Sequence, residues 1–388
     1  MTGVSDAERL ARAALARVLE PGRRDVFAAV AQHGPVAVWD AVRTGRHDAY
    51  GDGRAWEGAA ARAADYSPAR DLDALARVGG RFVCPGDDEW PADRLAWEVD
   101  RLEHAPPLAL HVRGPARLVE AVARSVAVVG ARAATAYGDL VAKELALSLA
   151  ERGCTVVSGA AHGIDRAAHI GALTAQAAPT AAVLACGLDR AYPRDHDRLL
   201  ARIAETGLVV SELPVGSAPT RSRFLVRNRL IAALSLGTVA VEAARRSGSL
   251  ATVERARALG RHVMAVPGPV TSAMSAGTNE LLRNDAHCVT SAAEVLALVG
   301  RMGEDAEPVM PVERRPRDDL PEVVRQVLDG VPVRRGAGVA SIARASGVSA
   351  LTVQQVLPPL VLHGLVEQVP DGFRLTPLGA GRPARAPA

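Results

Sequence analysis

The sequence predicts an α/β protein built on a doubly wound parallel sheet, preceded by an N-terminal helical domain and followed by a C-terminal winged helix. Three observations carry that expectation. Between residues 81 and about 300, short β-branched runs alternate with longer helical stretches, the pattern of strands covered by helices on both faces. Nearly every central run ends in Gly, Ser or Glu, as ligand-facing loops at the carboxyl ends of parallel strands do. The flanks, 1–75 and 321–377, carry helical periodicity instead.

In chain order, Leu10, Ala14, Leu15 and Val18 recur every three to four residues, Gly22 breaks the run, and a second apolar stretch covers 26–30. Residues 30–36, Val-Ala-Gln-His-Gly-Pro-Val, read as the turn of a helix-hairpin-helix, whose amides can hold a phosphate. Ten arginines against eleven acids in 1–75 favour a structural cap over a DNA contact. Strands are expected at 126–129, 155–157, 182–185, 208–210, 238–241 and 262–266, with an outer pair at 81–83 and 108–112, giving one domain over 76–300. Residues 301–320, with Pro308, Pro311 and Pro316 among mixed charges, read as a linker. Helices are then expected at 320–328, 339–345 and 351–362, and a hairpin over 366–375 around Asp371-Gly372, which together fit a winged helix ending before a disordered tail at 378–388.

Composition narrows the function. Aromatic residues are 3% of 388, so stacking has few side chains to use and Phe224 gains weight. A net charge of +3 excludes a uniformly basic coat and leaves room for a local patch. Lys143 is the single lysine among 46 basic residues, and arginine suits bidentate phosphate contacts. Cys84, Cys154, Cys186 and Cys288 stand far apart without a CxxC pair, which argues against structural zinc or disulfides and for a reducing cytoplasm. No apolar run reaches the roughly 20 residues of a membrane span.

Four loops at the strand ends hold the candidate chemistry. The first, Gly130 to Gly138, opens a helix and adds Arg132; it lacks GxGxxG, and the next strand ends in Ser158 instead of a ribose-binding acid, so no dinucleotide cofactor is expected. The second, Ser158, Gly159 and on to Gly163, is a further glycine-rich strand-to-helix turn. His162, Asp165 and His169 fall near one face of its helix, but without a thiolate or carboxylate triad no metal site is expected, and Asp165 reads as a helix cap. The third, 220–231, sets Arg221, Arg223, Arg227 and Arg229 around Phe224 and Asn228, and 215–257 holds eight arginines against two glutamates. On a helix, Arg223 and Arg227 lie four apart beside Phe224 and Asn228, so charge and a stacking surface can face one groove, as in a reader of single strands. Some of these arginines are expected to pair inside the fold with Asp189, Asp195 or Glu212. The fourth, with Ser247, Gly248 and Ser249 at a helix start, extends a phosphate path, and Glu242 before it is the residue most open to a catalytic reading.

These loops, in this order and spacing, resemble the DNA processing protein A family, also called DprA or Smf. The match runs through Val129-Gly-Ala-Arg132 with Thr135, Tyr137 and Gly138; 156–165 with Ala168-His169; Tyr192-Pro193; Ser211-Glu212; 224–231; 241–252; and 260–268 with Ser275, Gly277 and Asn279. The resemblance implies an extended Rossmann-like fold that binds single-stranded DNA, protects it and helps load RecA recombinase, as a non-catalytic homodimer. It places the pocket at Arg132, the 158–163 loop, Arg221 or Arg223, Phe224, Arg227, Asn228 and the 247–249 loop. Ala131 stands where the family has Ser, Leu225 where it has Pro, and arginine where lysine commonly precedes the aromatic.

A different class stays open. Nucleoside-phosphate hydrolases on similar sheets place a glycine-rich loop and a glutamate at the strand ends, and Glu242 with 247–252 is a partial look-alike. The expected winged helix has no positive charge along 351–362, which makes it an accessory or protein-contact module, and Pro358-Pro359 should distort that helix.

Overall fold

The computed structural model describes residues 3–46, 50, 53–64, 66–98, 100–175, 177–300 and 320–380. All of the expected linker at 301–320 except Leu320, and all of the expected tail at 378–388 except 378–380, lie outside them. The chain divides into two compact units between residues 306 and 307.

The first unit opens with five helices, α1 (Asp6–Val18), α2 (Arg24–His33), α3 (Pro35–Arg43), α4 (Gly53–Ala63) and α5 (Pro68–Arg77). Ser5 caps α1, and Gly34, at φ 79°, makes the turn between α2 and α3. These helices are no separate body. Ala13 of α1 shares an apolar cluster with Cys84, Ala182, Leu184 and Val209, and Arg17 reaches both Asp71 and the Val215 carbonyl, at 2.6 and 2.7 Å. The boundary expected near residue 75 is therefore a change of secondary structure inside one packed unit.

The sheet follows: β1 (Gly80–Val83), α6 (Ala92–Leu95), β2 (Leu110–Arg113), α7 (Leu118–Ala123), β3 (Ser125–Val129), α8 (Ala136–Glu151), β4 (Thr155–Ser158), α9 (Ile164–Thr174), β5 (Thr180–Leu184), α10 (Asp197–Thr206), β6 (Leu208–Ser211), α11 (Arg221–Ala233), β7 (Gly237–Ala240), α12 (Leu250–Ala258), β8 (His262–Ala265), α13 (Ala276–Arg283), β9 (His287–Cys288) and α14 (Ala292–Val299). Among the described residues its order is β1-β2-β6-β5-β4-β3-β7-β8-β9, parallel except for the outer β1–β2 and β2–β6 pairings. Alternation along β3 sends Val126 and Val128 to the side of α8, α9 and α14, and Ala127 and Val129 to the side of α11 and α12. The sheet is thus doubly wound, and its strand order reverses between β3 and β7. Ligand crevices form at such a reversal, because the loops leaving the two strands diverge to opposite faces.

The second unit holds α15 (Glu322–Asp329), α16 (Val339–Ser346), α17 (Ala350–Leu362) and the antiparallel hairpin β10 (Val366–Val369) with β11 (Gly372–Leu375), and Ala337, ahead of α16, bridges to Phe373 of β11. Its core is Val327, Leu328, Ile342, Val353, Leu357 and Leu360. The expected distortion at Pro358-Pro359 does not break α17, which runs through both prolines. Among the described residues no single helix is long and apolar enough to cross a membrane.

Candidate nucleic-acid interface

A cleft of about 700 Å³ opens at the β3–β7 reversal. Gly130, Ala131 and Arg132 after β3 form one side; Ser247, Gly248 and Ser249 before α12 form the other; the first turns of α11 supply Arg221, Phe224, Arg227 and Asn228.

Tight loop packing makes this convergence possible. Gly163, at φ 71°, closes on the Ala131 carbonyl so nearly that a β-carbon would lie 2.2 Å from it, and the Ile164 amide donates to that carbonyl at 3.1 Å. The Ala131 amide in turn donates to the Glu242 carbonyl at 2.7 Å. The β3, β4 and β7 loops are thereby fixed to one another through the backbone, and the methyl at Ala131, 3% exposed, completes the packing.

Phe224 is half-buried in the cleft. The guanidinium carbons of Arg132 and Arg227 sit 5.2 and 5.7 Å from its ring centre, within cation–π range, and Tyr192 lies 5.1 Å away in a tilted contact. Arg227 is 6% exposed and donates to the Gly159 carbonyl at 2.8 Å, to the Val183 carbonyl, and to Asn228 Oδ1 at 3.3 Å. Burial lowers its pKa to about 10, with Asp165 opposing the shift, so it stays a cation at neutral pH. Burial raises the Asp165 carboxyl, and Arg227 holds it down. Asn228 donates to the Gly248 carbonyl at 3.4 Å, and the Ser247 and Ser249 hydroxyls lie 2.8 Å apart. Arg132, Arg221 and Arg246 are exposed at the rim and pair with no carboxylate among the described residues.

Five expected site residues do other work. Ser158 is fully buried and donates to the Val128 carbonyl at 2.7 Å, because it is the last residue of β4 and points into the sheet. Gly159 leaves room for Arg227, whose Nη2 would lie 2.6 Å from a β-carbon there. Gly163 serves the loop packing described above. Arg223 turns away and pairs with Glu20 at 2.6 Å. Arg229 is fully buried in a bidentate pair with Glu212, both contacts 2.8 Å, and donates to the Ala105 carbonyl. Glu212 was one of the three acids expected to take an arginine inside the fold.

The catalytic reading of Glu242 meets the same difficulty. It is 1% exposed, and its carboxylate accepts from the Thr135 amide at 2.9 Å and the Thr135 hydroxyl at 2.7 Å. It therefore occupies the start of α8, the place the sequence offers as an anion cradle, and it does not line the cleft. The grouping of His162, Asp165 and His169 does not form, since the His169 ring bonds Thr180 Oγ1 at 2.9 Å and Asp165 accepts from the Ala161 amide at 3.3 Å. Tyr192 and Arg246 line the cleft without having been expected there; a scarce aromatic in a strand-end loop, and a second arginine beside the Ser-Gly-Ser turn, were the available signals.

The molecule is thus a doubly wound α/β protein with a cationic, aromatic-floored cleft at its strand-order reversal, a geometry suited to a phosphate polymer with exposed rings. Residues 81–300 match the family described as DNA recombination-mediator protein A, and the chain belongs to that family. It is 46% identical over 390 residues to the putative DNA processing protein DprA of Mycobacterium tuberculosis, covering 98% of this chain and 97% of that protein. Protein Smf of Escherichia coli is 35% identical, over 64% of this chain and 72% of that one. The crystal structure of DNA processing protein A from Streptococcus pneumoniae superposes with a TM-score of 0.62 at 29% identity, covering 77% of this chain and all of that one. The chain is therefore a DNA-processing recombination mediator.

Proposed function

We propose that the cleft binds a single DNA strand non-covalently, with a base stacked on Phe224 and phosphates led past Arg132, Arg221 and Arg246 to the Ser247–Ser249 turn. The observation that carries this reading is the Phe224 ring, half-buried between Arg132 and Arg227 in a chain with few aromatics. A duplex keeps its base faces stacked, so such a ring selects unpaired bases, and it does so without regard to sequence. In this reading the protein protects the strand and helps load RecA recombinase, works as a homodimer in the cytoplasm, and catalyses no reaction. Family membership supports the RecA and dimer roles, four free cysteines agree with a reducing compartment, and the burial of Glu242 away from the cleft lining supports a binding role over hydrolysis. The three-helix-and-hairpin order of the second unit supports its reading as a winged helix.

Anisotropy of labelled oligo-dT against its duplex, titrated with salt, tests the proposal. Phe224→Ala should lose about 1 to 3 kcal/mol on the single strand. Arg132→Ala, which leaves the core untouched, should make the salt slope shallower by about 0.7. Equal binding of duplex and single strand, or indifference to both substitutions, would overturn the assignment of the cleft.

A further inference from the structure

A second cluster of ligating side chains is assembled beside the cleft. His162, in the loop between β4 and α9, meets Asp195 and His196 of the short 3₁₀ turn Arg194–His196, and one ligand atom from each lies within 4.8 Å of the others. His162 Nε2 is 3.7 Å from Asp195 Oδ1, and His196 Nε2 is 4.0 Å from Asp195 Oδ2. The two imidazoles pack edge to face with centroids 4.8 Å apart.

His196 decides the character of this cluster. It is 2% exposed, with Nδ1 2.9 Å from the Ala160 carbonyl oxygen. A carbonyl only accepts, so in the neutral ring Nδ1 carries the proton and Nε2 presents a lone pair. That Nε2 is buried and has no hydrogen-bond partner. A buried acceptor without a donor is unfavourable on its own. An Nδ1–H bonded to a backbone carbonyl behind a free Nε2 is, however, the arrangement that orients a metal-binding histidine.

We propose that His162, Asp195 and His196 bind one divalent transition-metal ion of the zinc class, leaving a fourth position to water or an exogenous ligand. Two imidazoles and one carboxylate suit Zn(II), Co(II) or Ni(II), whereas Mg(II) and Ca(II) prefer all-oxygen sets. Metal–ligand bonds of about 2.0 to 2.2 Å need the three atoms somewhat closer together than they lie here. The side chains of His162 and Asp195, 51% and 67% exposed, are free to close on the fixed His196. An ion held there ties the β4–α9 loop to the turn after β5, joining two segments whose Ala161 and Tyr192 line the cleft. This assignment stands independently of what the cleft binds.

Metal-stripped, untagged full-length protein titrated with Co(II), read by its visible absorption and by Zn(II) competition, tests the site. One ion per chain is expected, with thermal unfolding shifted upward by the metal. His162→Ala and Asp195→Asn, both at exposed positions, should keep the native circular dichroism and bind at least about tenfold more weakly. The control His287→Ala with Cys288→Ser removes the exposed thiol and a neighbouring imidazole and should leave binding intact. Absence of stoichiometric binding, binding that survives His162→Ala and Asp195→Asn, or binding lost in the control would each overturn the proposal.

Discussion

Four arginines within one helix meet different fates in α11. Arg221 stands exposed at the cleft rim, Arg223 pairs with Glu20, Arg227 lies under the cleft floor, and Arg229 is fully buried against Glu212. Arg229 therefore contributes to stability and not to the salt dependence of binding. Removing one partner of a buried, hydrogen-bonded pair strands the other charge, so Arg229→Met should destabilise the fold by about 3 to 5 kcal/mol. Adding Glu212→Leu should recover part of that loss, because no unpaired charge then remains. Urea denaturation of both variants, with DNA affinity measured per folded molecule, checks this; unchanged stability with lost DNA binding would place Arg229 in the interface after all. That one of these arginines would pair with an acid such as Glu212 inside the fold was legible in the sequence, but which arginine takes which place was not. A helix this rich in arginine has no apolar stripe to set its orientation, and only the packing of Leu230 and Ile231 against the sheet, with Val226 against the segment around Gly22, decides which arginines turn inward. Phe224 was legible for the opposite reason, since scarcity of aromatics makes a single ring amid positive charge informative.

At the scale of elements, the strands were legible because β-branched residues bounded by glycines give a strong local signal: β3, β4, β6, β7 and β8 fall within a residue of their expected ends. β5 begins two residues earlier than expected, at Thr180, because its pairing with β4 starts there opposite Val156. β9 is two residues long, too short for any periodicity to register. Buried polar residues on these elements were invisible to pattern reading, and they set a pH response. Burial holds the β2 imidazole of His111 down at about 4, and burial, helped by His196 and Arg227, holds that of α9 His169 at about 3. In the unfolded chain both protonate near pH 6.5. Below that pH the unfolded state binds protons that the folded state refuses, so stability is fully present above about 6.5 and is lost as the pH falls toward 4. Asp165, whose raised carboxyl takes a proton more readily folded than unfolded, opposes them in the acid part of that window. Thermal unfolding measured from pH 7 to 4.5 should show a falling midpoint, and His111→Phe should make the fall less steep; an unchanged slope would mean that His111 already ionises in the native state.

For the whole molecule, the question is which parts the cleft needs, and contacts answer it differently at the two ends of the chain. Residues 1–75 are a structural flank of the sheet: Arg9 reaches the Phe82 carbonyl, Arg12 the Leu108 carbonyl, Arg17 the Val215 carbonyl, and the Gly22 carbonyl accepts from Ala105 at 2.9 Å. Their removal would take Ala13 and Leu75 off the cluster that holds Phe82, Cys84 and Ala109, baring those residues, and leave Arg223 without Glu20. Exposed apolar surface of that kind drives association. Residues 307–388 are a unit of their own, and 320–380 hold a separate apolar core, while every side chain lining the cleft belongs to the first unit. A chain ending after residue 306 should accordingly fold, unfold cooperatively and bind oligo-dT with the same salt slope as the full protein. A chain beginning at residue 76 should be aggregated or lack a cooperative transition. Circular dichroism, gel filtration and anisotropy on the two truncations distinguish these outcomes. Loss of oligo-dT binding by the first truncation, with its fold intact, would mean that the second unit supplies contacts the cleft lacks, despite the absence of positive charge along α17.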